Sequence, residues 1–169
     1  MSEEQFLPSF EGTWARLSQV AVKGAQYNSH EHQPHPKCLD GTWVDFLKYI
    51  YRLLDEQEKN QLIWLHGMAG IGKSAIMFTV AERMKGLKVT EEMNVEKQLA
   101  GTFFFSHKHM KCCMAGYFFA TLVYQLANNF PSIWKDVNRA IHDNPTLLDP
   151  DAPLCDQMEA LFPQPLWWL

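Results

Sequence analysis

Apolar residues fall into short blocks along this chain, separated by polar and proline-bearing stretches. Within residues 1–29, Trp14, Leu17, Val20 and Ala21 recur at helical spacing and predict one amphipathic helix. HEHQPHPK, residues 30–37, carries two prolines and predicts an extended loop. Thr42, with Asp45 three positions on, has the form of a capping box. The helix it opens bears Phe46, Leu47, Ile50, Leu53 and Leu54 on one face and ends in DEQEKNQ. Leu62, Ile63, Trp64 and Leu65 form a continuous apolar run suited to a strand buried on both faces. GLKVTEEMNVEKQ, residues 86–98, is charged and unpatterned, whereas Leu99 to Ser106 (LAGTFFFS) predicts a second buried strand. Tyr117 to Leu126 predicts an apolar helix, and Pro131 suits the first turn of another, with Ile133, Trp134, Val137, Ala140 and Ile141 on its inner face. NPTLLDPDAP predicts a loop, and Leu154 to Phe162 a last helix. No internal repeat or low-complexity tract interrupts this order.

The chemistry lies directly after the first predicted strand. Gly67-x-x-x-x-Gly72-Lys73-Ser74 has the spacing of a phosphate-binding loop. Its glycines let the backbone curl until successive N–H groups face one concavity. Lys73 brings a mobile charge to the β- and γ-phosphates, and the Ser74 hydroxyl is a ligand for the accompanying Mg²⁺. Ala75 to Lys85 are good helix formers, so the positive end of a helix dipole faces the anion. The expected nucleotide-binding residues are Gly67, Met68, Ala69, Gly70, Ile71, Gly72, Lys73, Ser74 and Ala75, with Ser74 also on the metal and ATP or GTP with Mg²⁺ as cofactor.

Composition narrows the setting. With 169 residues, 47% of them hydrophobic and 13% aromatic, the chain can build a real core. A net charge of −4 gives no reason to expect nucleic acid or an anionic membrane as partner. The start, Met1-Ser2-Glu3-Glu4, has no basic or apolar signal character, and the longest apolar stretch, Cys112 to Tyr124, is too short to span a bilayer. Cys38, Cys112, Cys113 and Cys155 lack C-x-x-C spacing, which favours reduced thiols and a cytoplasmic location. His30, His32, His35 and Cys38, and then His107, His109, Cys112 and Cys113, have zinc-ligand chemistry but no finger spacing. They read as loop histidines and buried thiols. His66 beside Ser74 makes no hydrolase pair, since G-x-S-x-G is absent. Phe103, Phe104, Phe105, Phe118 and Phe119 read as core, and Trp167 and Trp168 as packing residues.

A phosphate-loop NTPase also needs an apolar strand ending in Asp or Asp-Glu to hold Mg²⁺ and orient water. No such run follows Lys73; Leu147-Leu148-Asp149 is too short and flanked by Pro145 and Pro150.

The order of blocks nevertheless resembles one family. GAQYNSHEHQPHPKCLDGTW, IWLHGMAGIGKSAI, LAGTFFFSHK, TLVYQLANNFPSIWKDVNRAIHDNPTLL and DQMEALFPQPL together resemble the NACHT-type NTPase region of fungal NLR-like proteins, often described as nephrocystin-3-like N-terminal. The resemblance runs from about Val20 to Leu169. It implies membership of the STAND class of signalling ATPases, phosphate contacts from Gly67 to Ser74, and a base near Cys38-Leu39-Asp40-Gly41-Thr42. Four features depart from the family pattern. Trp43 and His107 stand where it usually has Arg, residues 86–98 look inserted, and the match stops just before the acidic strand.

The expected fold is therefore α/β: an incomplete phosphate-loop NTPase of three-layer type, with few parallel strands and a large helical share. Residues 1–29 would be a helical or irregular extension, and residues 30–169 the partial NACHT domain. The expected function is nucleotide binding without independent hydrolysis. The alternative is a non-catalytic fragment that pairs with relatives or with itself through exposed strand edges. A small-molecule kinase is disfavoured, because only Arg83 and Arg139 lie beyond Lys73 to neutralise a transferring phosphoryl group.

Overall fold

Leu17 has no exposed surface, and the helix that carries it, α1 (Leu7–Val20), is built into a core rather than laid along the chain's surface. The computed structural model describes residues 7–32, 37–55, 62–86, 99–106 and 109–162. It divides into two compact units, one of residues 1–29 with 100–169 and the other of residues 30–99.

In the first unit, α1 packs with α5 (Phe118–Asn129), α6 (Trp134–Asp143) and α7 (Leu154–Leu161). A one-turn helix, α4 (Met110–Cys113), and a 3-10 turn at Ala115–Tyr117 precede α5, so the apolar stretch from Cys112 is broken rather than one helix. Leu17, Val123, Val137, Ile141 and Leu161 meet in one cluster, each buried aliphatic contributing about 1.5–3 kcal/mol. Trp14 stacks on Tyr124 at 4.9 Å and meets Trp134 edge-on at 4.5 Å. Pro145–Leu148 forms a 3-10 turn that sends Leu147 and Leu148 into the same core, so the segment read as loop is a packing element.

In the second unit, α2 (Val44–Asp55) lies against α3 (Lys73–Gly86) through Ile50, Ile76 and Val80, with Phe46, Leu47, Leu54, Leu65 and Met84 around them. Thr42 does not cap α2. Its hydroxyl donates to the Leu39 carbonyl at 2.6 Å, and Trp43 supplies the carbonyl that receives the first helical N–H, from Leu47 at 2.8 Å. Asp45, the other half of the expected capping box, instead sits 3.7 Å from Lys48.

The expected α/β architecture is not observed. Among the described residues no strand or sheet forms, and the chain is predominantly helical. Both predicted strands run without regular structure and without a ladder. The reason is visible in the hydrogen bonds of the second one. Thr102 N–H donates to Gln125 Oε1 at 3.0 Å, and Gln125 Nε2 donates back to the Thr102 carbonyl at 2.8 Å. Asn129 Nδ2 donates to the Ala100 carbonyl, Phe104 N–H to the Ala25 carbonyl and Ser106 N–H to the Cys112 carbonyl. Side-chain amides of α5 and nearby loops thus satisfy backbone groups that a neighbouring strand would otherwise pair. The first run is not buried on both faces either: Leu62 and Trp64 are 90% and 78% exposed, while Leu65 faces the α2–α3 core.

The aromatic stripe is also only partly core. Phe103, Phe105, Phe118, Phe119 and Phe162 form a chain of ring contacts 4.9 to 6.3 Å apart, but Phe105 is 61% exposed. Among the described residues no helix is long and apolar enough to cross a membrane. His35, His107, most of the charged stretch 86–98, Trp167 and Trp168 lie outside the described residues.

Candidate functional site

The Gly67-to-Ser74 motif occupies the connection into α3. Residues 62–68 lead to a turn at Ala69–Gly70, and α3 begins at Lys73. Two of its glycines do what the motif requires: Gly70 and Gly72 have φ of +82° and +93°, which side-chain-bearing residues rarely adopt. Gly72 ends the turn, and its carbonyl accepts the Ile76 N–H at 3.0 Å, starting the helical ladder. Helix geometry leaves the N–H groups of Lys73, Ser74 and Ala75 without an acceptor one turn back, so the positive end of α3 opens onto the loop. Burial of Ile76, Phe78, Val80 and Ala81 anchors the helix that presents this end.

Lys73 folds back over the loop. Its Nζ donates to the Gly67 carbonyl at 2.8 Å and to the Met68 carbonyl at 2.7 Å, spanning the motif from end to start. Gly67, Met68, Ala69, Gly70, Ile71 and Ser74 are exposed, and Gly72, Lys73 and Ala75 half-buried. The nine expected residues therefore form one accessible loop-and-helix start. An ammonium held by two neutral carbonyls gains by exchanging them for phosphate oxygens, since the acceptor then carries a full opposite charge.

The segment expected near a base flanks the same helix. Cys38 N–H donates to Thr79 Oγ1 on α3 at 3.1 Å, and Leu39 to Thr42 form a turn with Gly41 at φ +81° and the Thr42 N–H on the Leu39 carbonyl at 2.9 Å. Trp43 follows at φ +57°, and its indole Nε1 would lie 3.7 Å from a Cβ on Gly72. Its neighbourhood with the loop was not foreseen from spacing, because a positive φ on a bulky residue leaves no mark in sequence. Another unforeseen pair is Tyr51 of α2 and Arg83 of α3, with the guanidinium 4.0 Å from the ring centre. Burial pushes the Tyr51 phenol above its ordinary value, against the lowering effect of Arg83.

The metal-type clusters are not assembled. Among the described residues no group of three or more His, Cys, Asp or Glu converges; His32 lies edge-on to Phe78, and Cys112 is buried with Val22 and Ala25. All four cysteines are free thiols. Asp149, which ends the false acidic run, is exposed.

The family model described as nephrocystin 3, N-terminal matches residues 41–166, most of the chain. The chain belongs to the nephrocystin 3 N-terminal family. The match begins within the Leu39–Thr42 turn, so it takes in Trp43, α2 and the whole Gly67–Ser74 loop and leaves α1 outside. No curated protein and no solved structure matches the chain.

Proposed function

We propose that this chain is the nucleotide-binding part of a NACHT-type signal-transduction NTPase, holding the phosphates of ATP or GTP in the loop from Gly67 to Ser74. The observation that carries the reading is the Lys73 ammonium, bonded across a glycine turn at the N-terminus of a well-anchored helix. Phosphate oxygens would displace the Gly67 and Met68 carbonyls from Lys73 and take up the free N–H groups of the first helical turn. A bound Mg²⁺ would offset phosphate charge, and Ser74, exposed at the helix start, is the side chain that would reach it. No apolar run ending in an acid follows Lys73, so the reading is binding without turnover by this chain.

Calorimetric titration of the full chain with MgATP, MgGTP and the diphosphates tests it. The expected result is saturable binding to the wild type that Lys73→Ala weakens by at least about tenfold, with the melting curve unchanged. Equal affinity in the two proteins would sink the proposal. A Lys73-dependent release of phosphate by a pure monomer would overturn the non-hydrolytic part alone.

A second reading, a non-catalytic fragment that pairs with relatives or with itself, is supported by the exposure of Leu62 and Trp64 on a segment without regular structure. Light scattering of the wild type and of a Leu62→Lys, Trp64→Lys double variant separates the two. A concentration-dependent dimer that the double variant abolishes would support pairing, and two monomers would count against it.

A further inference from the structure

Trp43 is an unusual residue to find where it sits. It precedes α2, its backbone is at φ +57°, and it is 41% exposed, so core packing does not explain it. For a bulky side chain this backbone region is a genuine outlier. It is imposed from both sides. Upstream, the turn from Leu39 to Thr42 is closed by the Thr42 N–H and hydroxyl on one carbonyl; downstream, the Trp43 carbonyl is committed to Leu47 N–H. The ring leans on Phe46, with centroids 5.9 Å apart at 62°. The result is that the one polar atom of the side chain, Nε1, would be 3.7 Å from a Cβ on Gly72. Indole N–H is a donor only, and among the described residues it has no acceptor. Lys73, next in the chain, turns its ammonium across the same loop.

Resting on the phosphate-loop reading above, we infer that Trp43 is a further ligand of the nucleotide: its indole N–H donates to a phosphate oxygen held at the Gly72 end of the loop. Trp43 supplies a neutral, directional donor from outside the motif, where Lys73 supplies charge from within it. A hydrogen bond to an ionised group of this kind corresponds to about tenfold or more in affinity.

The test uses the full chain and MgATP, with Trp43→Phe as the variant, which keeps an aromatic ring against Phe46 and removes the N–H. The expected result is Lys73-dependent binding to the wild type that falls by about tenfold or more in W43F, with superimposable thermal melts. The indole N–H resonance of Trp43, assigned by its loss in W43F, should move downfield as MgATP is added to the wild type. If W43F melts lower, the resonance decides, since it is read in the wild-type protein. Equal affinity in W43F together with an unmoved resonance overturns the role of Trp43 and leaves the phosphate-loop reading standing. Failure of the wild type to bind any of the four nucleotides removes both.

Discussion

Gly116 lies against Pro150 so closely that a Cβ on it would come within 1.8 Å of the Pro150 carbonyl oxygen. The contact locks the turn before α5 to the segment before α7, both inside the first unit. The obstacle is backbone and cannot be rotated away, so Gly116→Ala must push two chain segments apart. The expected cost is about 3 kcal/mol or more, at the upper end of overpacking penalties. Urea unfolding of the variant checks this; a loss well below that would mean the turn can shift freely.

Gln157 on α7 secures the same junction. It is fully buried, and its Nε2 lies 3.0 to 3.3 Å from the carbonyls of Leu147, Asp149 and Gly116. Its Oε1 has no partner among the described residues, so the amide contributes less than three bonds would suggest. Gln157→Leu still orphans the carbonyls and should cost about 2 kcal/mol or more. Gln157→Glu should be worse at neutral pH, where a carboxylate faces only acceptors. Burial and those carbonyls would raise the folded-state pKa of that Glu above its unfolded value. The variant's stability should then be greatest below about pH 4 and decline as pH rises through the folded pKa. A pH series of melts for Q157E against wild type reads the effect; parallel curves would contradict it.

Leu17 tests whether α1 is an extension or part of the core. Its side chain has no exposed surface and joins a cluster with Val123, Val137 and Leu161. Leu17→Ala should destabilise the chain by about 2–5 kcal/mol, the range for cavity formation in a close-packed core. A change of under about 0.5 kcal/mol, as at ordinary surface sites, would mean α1 is peripheral.

Tyr51 gives the second unit an alkaline limit. Burial raises its pKa from the ordinary value of 10.0, against the lowering effect of Arg83 over its ring. A raised folded-state pKa means that its contribution is fully present below the unfolded value and is lost as pH climbs through the folded one. As pH rises above about 10 the wild type should therefore lose melting temperature more steeply than Tyr51→Phe. Thermal melts across that window measure it, and equal slopes would remove Tyr51 as the cause.

Helix faces and the glycine turn that starts α3 were legible in sequence because both depend on local spacing. Ile133, just before α6, and Val137 and Ile141 on it are all buried, and Gly72 leads into a helix that starts at Lys73. Sheet formation was not legible, because a strand exists only when another backbone pairs with it. LAGTFFFS has the composition of a strand, yet Gln125 and Asn129 occupy its hydrogen-bonding groups with side-chain amides from α5. Nor was the burial of Leu147 and Leu148 visible between two prolines, since it depends on α1, α6 and α7 converging there. Trp43 joins the two kinds of information. Its identity and its place after Gly41-Thr42 are in the sequence, but the turn from Leu39, the Leu47 hydrogen bond and the fold of α2 onto α3 bring its indole to Gly72.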